Sequence, residues 1–153
     1  MTHFTLNGAE VALDLPEHAT LLQALRGPLG LFSPRYGCGA EQCGSCMVLL
    51  DDQPAYACAL GLDAVAGRKV VTVEGLGTSA APHPLQAAFL AEQAGQCGYC
   101  LSGMLISAAA LLAANPDPDE EVIRAAMDPH LCRCGSHNRI IRAIRRAAQE
   151  MAQ

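Results

Sequence analysis

The chain has no tryptophan, and three tyrosines and three phenylalanines bring its aromatic residues to only 4% of 153. There is thus no set of aromatic side chains on which bases could stack. Ten Lys and Arg stand against fifteen Asp and Glu, a net charge of -5, so no basic stripe is available to follow a phosphate backbone. Nucleic acid is excluded as the expected partner. The Arg-rich end (Arg139, Arg142, Arg145, Arg146) is short and reads as the solvated face of a helix. Long apolar runs are missing too. The longest, residues 105–114, is shorter than a bilayer requires and carries Ser107, so no membrane span is expected. Residues 1–15 alternate polar and apolar side chains, unlike a secretory signal, and no twin-Arg pair lies near the start; the expected compartment is the cytoplasm. Neither a carboxylate pair nor a nucleophile–base set stands out, so no substrate site or acid–base machinery is expected in the chain itself.

What is present is a globular composition, 51% hydrophobic and 16% charged, with eight cysteines. A chain of this length makes one or two small domains and buries roughly 70% of its unfolded surface. Eight cysteines are too few for a disulfide-dense secreted scaffold. In a reducing compartment, cysteines in spaced groups point to metal or cluster ligation.

Residues 2–6 and 10–15 alternate in the manner of strands around Asn7-Gly8, a hairpin-turn dipeptide. Thr20 then precedes Leu21, Leu22 and Leu25, with Arg26 and Gly27 closing a short helix. A loop rich in glycine and cysteine fills residues 33–46. Residues 47–50 read as a strand, 51–54 as a turn, 54–60 as a returning strand containing Cys58, and 69–73 as a last β-rich run. This is an α+β module of the β-grasp kind. Residues 74–84, with Gly75, Gly77 and two prolines, read as a linker. Beyond it the periodicity is helical, at 85–94, 101–114, 119–127 and 136–151. Four helices imply a small bundle whose halves look alike, each with a helix that starts just after two cysteines. The domains are placed at 1–76 and 77–153.

Cys38, Cys43, Cys46 and Cys58 are spaced C-x4-C-x2-C-x11-C, and the first three match the plant-type ferredoxin pattern for a [2Fe–2S] cluster. A loop with Gly37, Gly39 and Gly44 can turn backbone N–H groups inward on an anionic cluster. Cys97, Cys100, Cys132 and Cys134 are spaced C-x2-C-x31-C-x1-C, each pair lying before an expected helix. Two helix N-termini would then favour an anion. On spacing alone the second set admits a [2Fe–2S] cluster, a zinc ion, or a thioredoxin-like dithiol at Cys97-Gly98-Tyr99-Cys100. C-x1-C is cramped for one tetrahedral ion, and a dithiol leaves Cys132 and Cys134 unexplained.

The combination YGCGAEQCGSC, Cys58, QCGYCLSGM and LCRCGSH resembles the small iron–sulfur subunit of the xanthine oxidase family of molybdenum hydroxylases. The resemblance covers essentially the whole chain. It implies a ferredoxin-like domain followed by a four-helix bundle with two-fold pseudosymmetry, each with a [2Fe–2S] cluster. It implies a large partner subunit that binds molybdenum with a pyranopterin cofactor (molybdopterin) and hydroxylates substrate with oxygen from water. Electrons would pass through the bundle's cluster, then the ferredoxin-like cluster, to an FAD-binding subunit or a cytochrome c. By the same resemblance, Cys97, Cys100, Cys132 and Cys134 hold the cluster nearer molybdenum, with Cys134 itself near the pterin. Cys38, Cys43, Cys46 and Cys58 hold the outer cluster, and the Gln96 amide hydrogen-bonds the pterin. Many relatives have Thr-Pro where this chain has Leu101-Ser102, and Thr-Gly where it has Gly135-Ser136-His137. In this it looks more like bacterial hydroxylases of N-heteroaromatic compounds, the isoquinoline and nicotinate types. His137 reads as a helix-start residue; His3, His18, His83 and His130 receive no role. The rival readings are a free-standing two-cluster ferredoxin and a zinc-stabilised interaction module.

Overall fold

The structure, a computed structural model, describes residues 1–16 and 18–153. β1 (Thr2–Leu6) and β2 (Ala9–Leu13) form the expected hairpin. Asn7 and Gly8 turn it with φ of 50° and 84°, the pair of positive values that a two-residue hairpin demands. β2 ends two residues earlier than the alternation implied. Asp51 and Asp52 (φ 48° and 67°) make an equivalent turn between β3 (Met47–Leu50) and β4 (Gln53–Tyr56). β5 (Lys69–Val71) closes the sheet, parallel to β1 and antiparallel to β3, in the order β2-β1-β5-β3-β4.

α1 (Leu21–Arg26) covers one face of the sheet. Thr20 starts it through a reciprocal cap with Gln23: the Thr20 hydroxyl accepts from the Gln23 N–H at 3.3 Å, and the Gln23 amide oxygen accepts from the Thr20 N–H at 2.9 Å. Its leucines pack on Phe4, Leu6, Val48, Leu50 and Val70. β3 is buried along its whole length because both its faces are covered. Val48 and Leu50 face α1, while Met47 and Leu49 meet Ile106 of the helical half.

The returning strand ends at Tyr56, not residue 60. There the chain turns, with the Ala59 and Leu60 N–H groups donating to the Tyr56 carbonyl, and Cys58 lies in that turn. Residues 72–75 are tied back to the sheet. The Asn7 amide pairs twice with Thr72, at 2.9 and 3.0 Å, and the Glu74 carboxylate accepts from Thr72 and Ser33.

Four helices follow: α2 (Pro84–Ala91), α3 (Leu101–Ala114), α4 (Glu120–Met127) and α5 (His137–Met151). His83, given no role from sequence, caps α2: its Nδ1 accepts from the Leu85 N–H at 3.1 Å. α2 is shorter than the expected 85–94. Gln93 takes a left-handed conformation (φ 47°) and the Ala94 N–H reaches back to the Phe89 carbonyl at 2.9 Å, which terminates the helix. The helices enclose Leu85, Phe89, Met104, Ile123, Met127, Ile140 and Ile144. The arginines of α5 do lie on its solvated side, in exposed ion pairs such as Arg146 with Glu150 at 2.8 Å. No helix among the described residues is long and apolar enough to cross a membrane.

Candidate iron–sulfur centres

Both cysteine sets converge, and all eight thiols are free. In the first, the loop from β3's start back to Tyr36 coils tightly, with Gly39, Glu41 and Gly44 at φ of 67°, 57° and 74°. That coil aims backbone donors at sulfur. The Ala40 and Gln42 N–H groups donate to Cys38 Sγ at 3.3 and 3.2 Å, and the Cys38 N–H donates to Cys43 Sγ at 3.3 Å. The Ala40 and Gln42 donors draw the Cys38 thiol down to about 7. Cys46 is pushed up to about 12, by burial first and then by the Cys58 and Cys43 thiols around it.

In the second, α3 begins directly after Cys100 and α5 directly after Ser136, and neither start is capped by a side chain. Backbone donors just ahead of each helix serve the thiols: the Tyr99 N–H lies 3.5 Å from Cys97 Sγ and the Ser136 N–H 3.4 Å from Cys132 Sγ. Tyr99's N–H lowers the Cys97 pKa, helped by the Cys134 thiol. Burial works against ionisation of Cys132, but the Ser136 N–H and the Cys100 thiol outweigh it. Burial and the neighbouring Cys132 push Cys100 up to about 12.

A shared pattern decides what such a set can hold. The thiols of each set lie close enough to perturb one another, most strongly two by two: Cys38 with Cys43 and Cys46 with Cys58 in the first set, Cys97 with Cys134 and Cys100 with Cys132 in the second. Zinc draws four thiolates to one point. A [2Fe–2S] cluster takes two at each iron. The donor chemistry fits two [2Fe–2S] clusters.

Gln96 is exposed, and its Nε2 donates to the Cys134 carbonyl at 3.2 Å, so the amide spans the two arms of the second set. It also lines a groove of about 730 Å³ with Leu90, Leu101 and Arg139. His137 is the first residue of α5, as expected, and in addition its Nε2 donates to the His130 carbonyl at 3.2 Å.

Sequence reasoning missed how the two centres are joined. The Leu131 N–H donates to the Cys43 carbonyl at 3.1 Å, linking a residue next to Cys132 with a cysteine of the first set. The Tyr99 hydroxyl donates to the Tyr36 carbonyl, and the Arg35 guanidinium lies 5.3 Å from the Tyr99 ring centroid. His130, only 2% exposed, is wedged between the halves. Burial first, then the nearby His137, lowers its pKa to about 4. Nothing in local spacing signals these contacts; their partners come from distant parts of the chain.

A 2Fe-2S iron-sulfur cluster binding domain model matches residues 4–69 and a [2Fe-2S] binding domain model matches residues 72–145. A nicotinate dehydrogenase subunit from Pseudomonas putida is 49% identical over 94% of this chain and 92% of its own length. The alpha subunit of isoquinoline 1-oxidoreductase from Brevundimonas diminuta is 47% identical over 99% of this chain and 100% of its own. Among solved structures, quinoline 2-oxidoreductase of Pseudomonas putida 86 superposes with a TM-score of 0.94 at 35% identity, covering 99% of this chain and 94% of that one.

Proposed function

The chain belongs to the small iron–sulfur subunits of the xanthine oxidase family of molybdenum hydroxylases, and we propose that it conducts electrons within such a complex, out of a large molybdopterin-binding subunit. It is the electron-transfer subunit of an oxidoreductase and has two [2Fe–2S] domains, which we divide at 1–76 and 77–153. The carrying observation is that two sets of four free thiols, each arranged two by two under converging N–H donors, meet across one short hydrogen-bonded seam.

We assign Cys38, Cys43, Cys46 and Cys58 to the outer cluster and Cys97, Cys100, Cys132 and Cys134 to the inner one. When bound, each cluster supplies a one-electron centre. The chain's own groups set its surroundings. The N–H groups of Ala40 and Gln42 on one side, and of Tyr99 and Ser136 on the other, offset thiolate charge. Cys97 and Gln96 are exposed together, which suits an entry point facing the pterin of the partner, with Gln96 as the amide that meets it. Cys38 is exposed on the other centre, which suits an exit toward an FAD-binding subunit or a cytochrome c. The likeness to nicotinate and isoquinoline enzymes supports an N-heteroaromatic substrate, chosen in the partner. Eight free thiols support a reducing compartment, the cytoplasm.

The test is to purify the chain with whatever binds it and measure metal. About four irons and four acid-labile sulfides per chain, in a stable complex containing molybdenum, are the expected result. Zinc with little iron would refute the cluster assignment. An isolated monomer with both clusters would make the chain a free-standing ferredoxin instead.

A further inference from the structure

The two centres touch through few groups, and one of those contacts is unusually direct. From Cys43 the covalent path runs through its own carbonyl to the Leu131 N–H, 3.1 Å away, and then across a single peptide link to Cys132. The alternative contacts, Tyr99 hydroxyl to Tyr36 carbonyl and Arg35 guanidinium to Gly98 carbonyl, reach Cys38 only through a whole side chain and across two or three further peptide links. Electron transfer through a protein favours the path with fewer bonds and gaps, so the Cys43–Leu131 hydrogen bond is the better route.

That bond depends on His130, the residue before Leu131. Its Nε2 shares a hydrogen bond of 2.7 Å with the Ser107 hydroxyl on α3, and its backbone carbonyl accepts from His137 Nε2. Its Nδ1 is buried against the backbone of Gly44, the residue after Cys43. A Cβ on Gly44 would lie 2.2 Å from that nitrogen, so the imidazole occupies the space a side chain would take. His130 therefore fastens the loop of the second centre to the loop of the first at the position where the bridging bond forms.

Resting on the electron-transfer reading above, we propose that His130, held by Ser107, is the positioning residue for inter-cluster electron transfer, keeping the Leu131 N–H on the Cys43 carbonyl as the bridge between the two ligand sets. One electron passes from the reduced centre of the helical domain, which is oxidised, to the centre of the sheet domain, which is reduced. No bond is made or broken and no proton moves.

The experiment uses the whole complex with His130→Ala, His130→Gln, Ser107→Ala and Tyr99→Phe in this chain. A pulse of one-electron reductant is followed by rapid freeze-quench paramagnetic resonance, in which the two centres give separate signals. Hydrogen exchange at the Leu131 amide and the midpoint potential of each centre are measured alongside. In His130→Ala the Leu131 amide should exchange faster and redistribution between the centres should slow several-fold, with both signals and both potentials retained. His130→Gln, whose amide can still reach Ser107, should recover most of the rate. If His130→Ala fails to assemble, Ser107→Ala carries the same expectation, because its hydroxyl lies about two helical turns from Cys100. An unchanged rate despite a faster-exchanging Leu131 amide would overturn the proposal, as would a Tyr99→Phe variant that slows redistribution as much as His130→Ala. A parent complex without two cluster signals would instead overturn the underlying reading.

Discussion

Gly103 lies in the first turn of α3, where alanine should be the better helix former by about 1 kcal/mol. In this fold Gly103→Ala is expected to destabilise. A Cβ there would sit 1.9 Å from the Gly44 carbonyl oxygen and 2.9 Å from its carbonyl carbon, both backbone atoms of the first cysteine loop. Neither can rotate out of the way. The Gly44 loop is held by the Cys43–Leu131 hydrogen bond on one side and by the buried His130 ring on the other. Reaching ordinary contact requires α3 and the loop to part by more than an ångström, which breaks packing among Met47, Leu49 and Ile106. Overpacking of this kind costs roughly 1–3 kcal/mol, and backbone against backbone belongs at the upper end. Less the helix gain, a net loss of about 2 kcal/mol remains, or roughly 4–8 °C in the apparent unfolding midpoint of a chain this size. The assay is a thermal scan of the cluster-loaded complex that follows far-UV dichroism and visible cluster absorbance together. The absorbance should bleach at the lower temperature along with the helix signal. A Gly103→Ala chain as stable as the parent, or more so, would refute the claim that α3 docks directly on the first loop.

Ile106 is fully buried in the seam between the halves, and Ile106→Ala should cost about 2–5 kcal/mol in a denaturant titration, with the halves losing cooperativity. Burial works to raise the Glu74 pKa, but hydrogen bonds from Ser33 and Thr72 hold it below its ordinary 4.5. Its contribution is therefore present above pH 4.5 and lost as pH falls through the folded value; a Glu74→Gln chain should show a flatter melting profile between neutral and acid pH than the parent. His83 is neutral as the cap of α2, its pKa held below 6.5 by burial, so that contribution is present above 6.5 and fades as pH falls below it. In His83→Asn, which keeps an acceptor at the cap, the protection of the Leu85 amide relative to its intrinsic exchange rate should no longer fall on acidification. Cys97→Ser should lower iron from about four to about two per chain. It should also remove one of two paramagnetic signals and stop substrate from reducing the remaining centre; normal reduction of that centre would show that the order of the two is reversed.

How much of this could be read from the sequence follows from where each signal resides. The cysteine spacings are local consequences of ligand geometry, as are the Asn7-Gly8 turn and the Thr20 cap, and each is visible in a short window. The strand after Asp51-Asp52 reads too long because residues 57–60 remain apolar through a turn; what bends them is hydrogen bonding to Tyr56, and hydrophobicity carries no mark of it. His130 is invisible in sequence for a stronger reason. A buried histidine is recognised by its partners, and those are Ser107 on a helix and Gly44 in another domain. Gly103 misleads in the same way: in its own window it is a weak helix residue, and only the Gly44 carbonyl against it explains why no side chain fits. The cysteines that would hold the two clusters are thus written locally, while the contact between the centres is written in pairs of residues from different domains. A variant that leaves all eight cysteines intact can therefore still break the conductor, and Gly103, His130 and Ser107 are where that should happen.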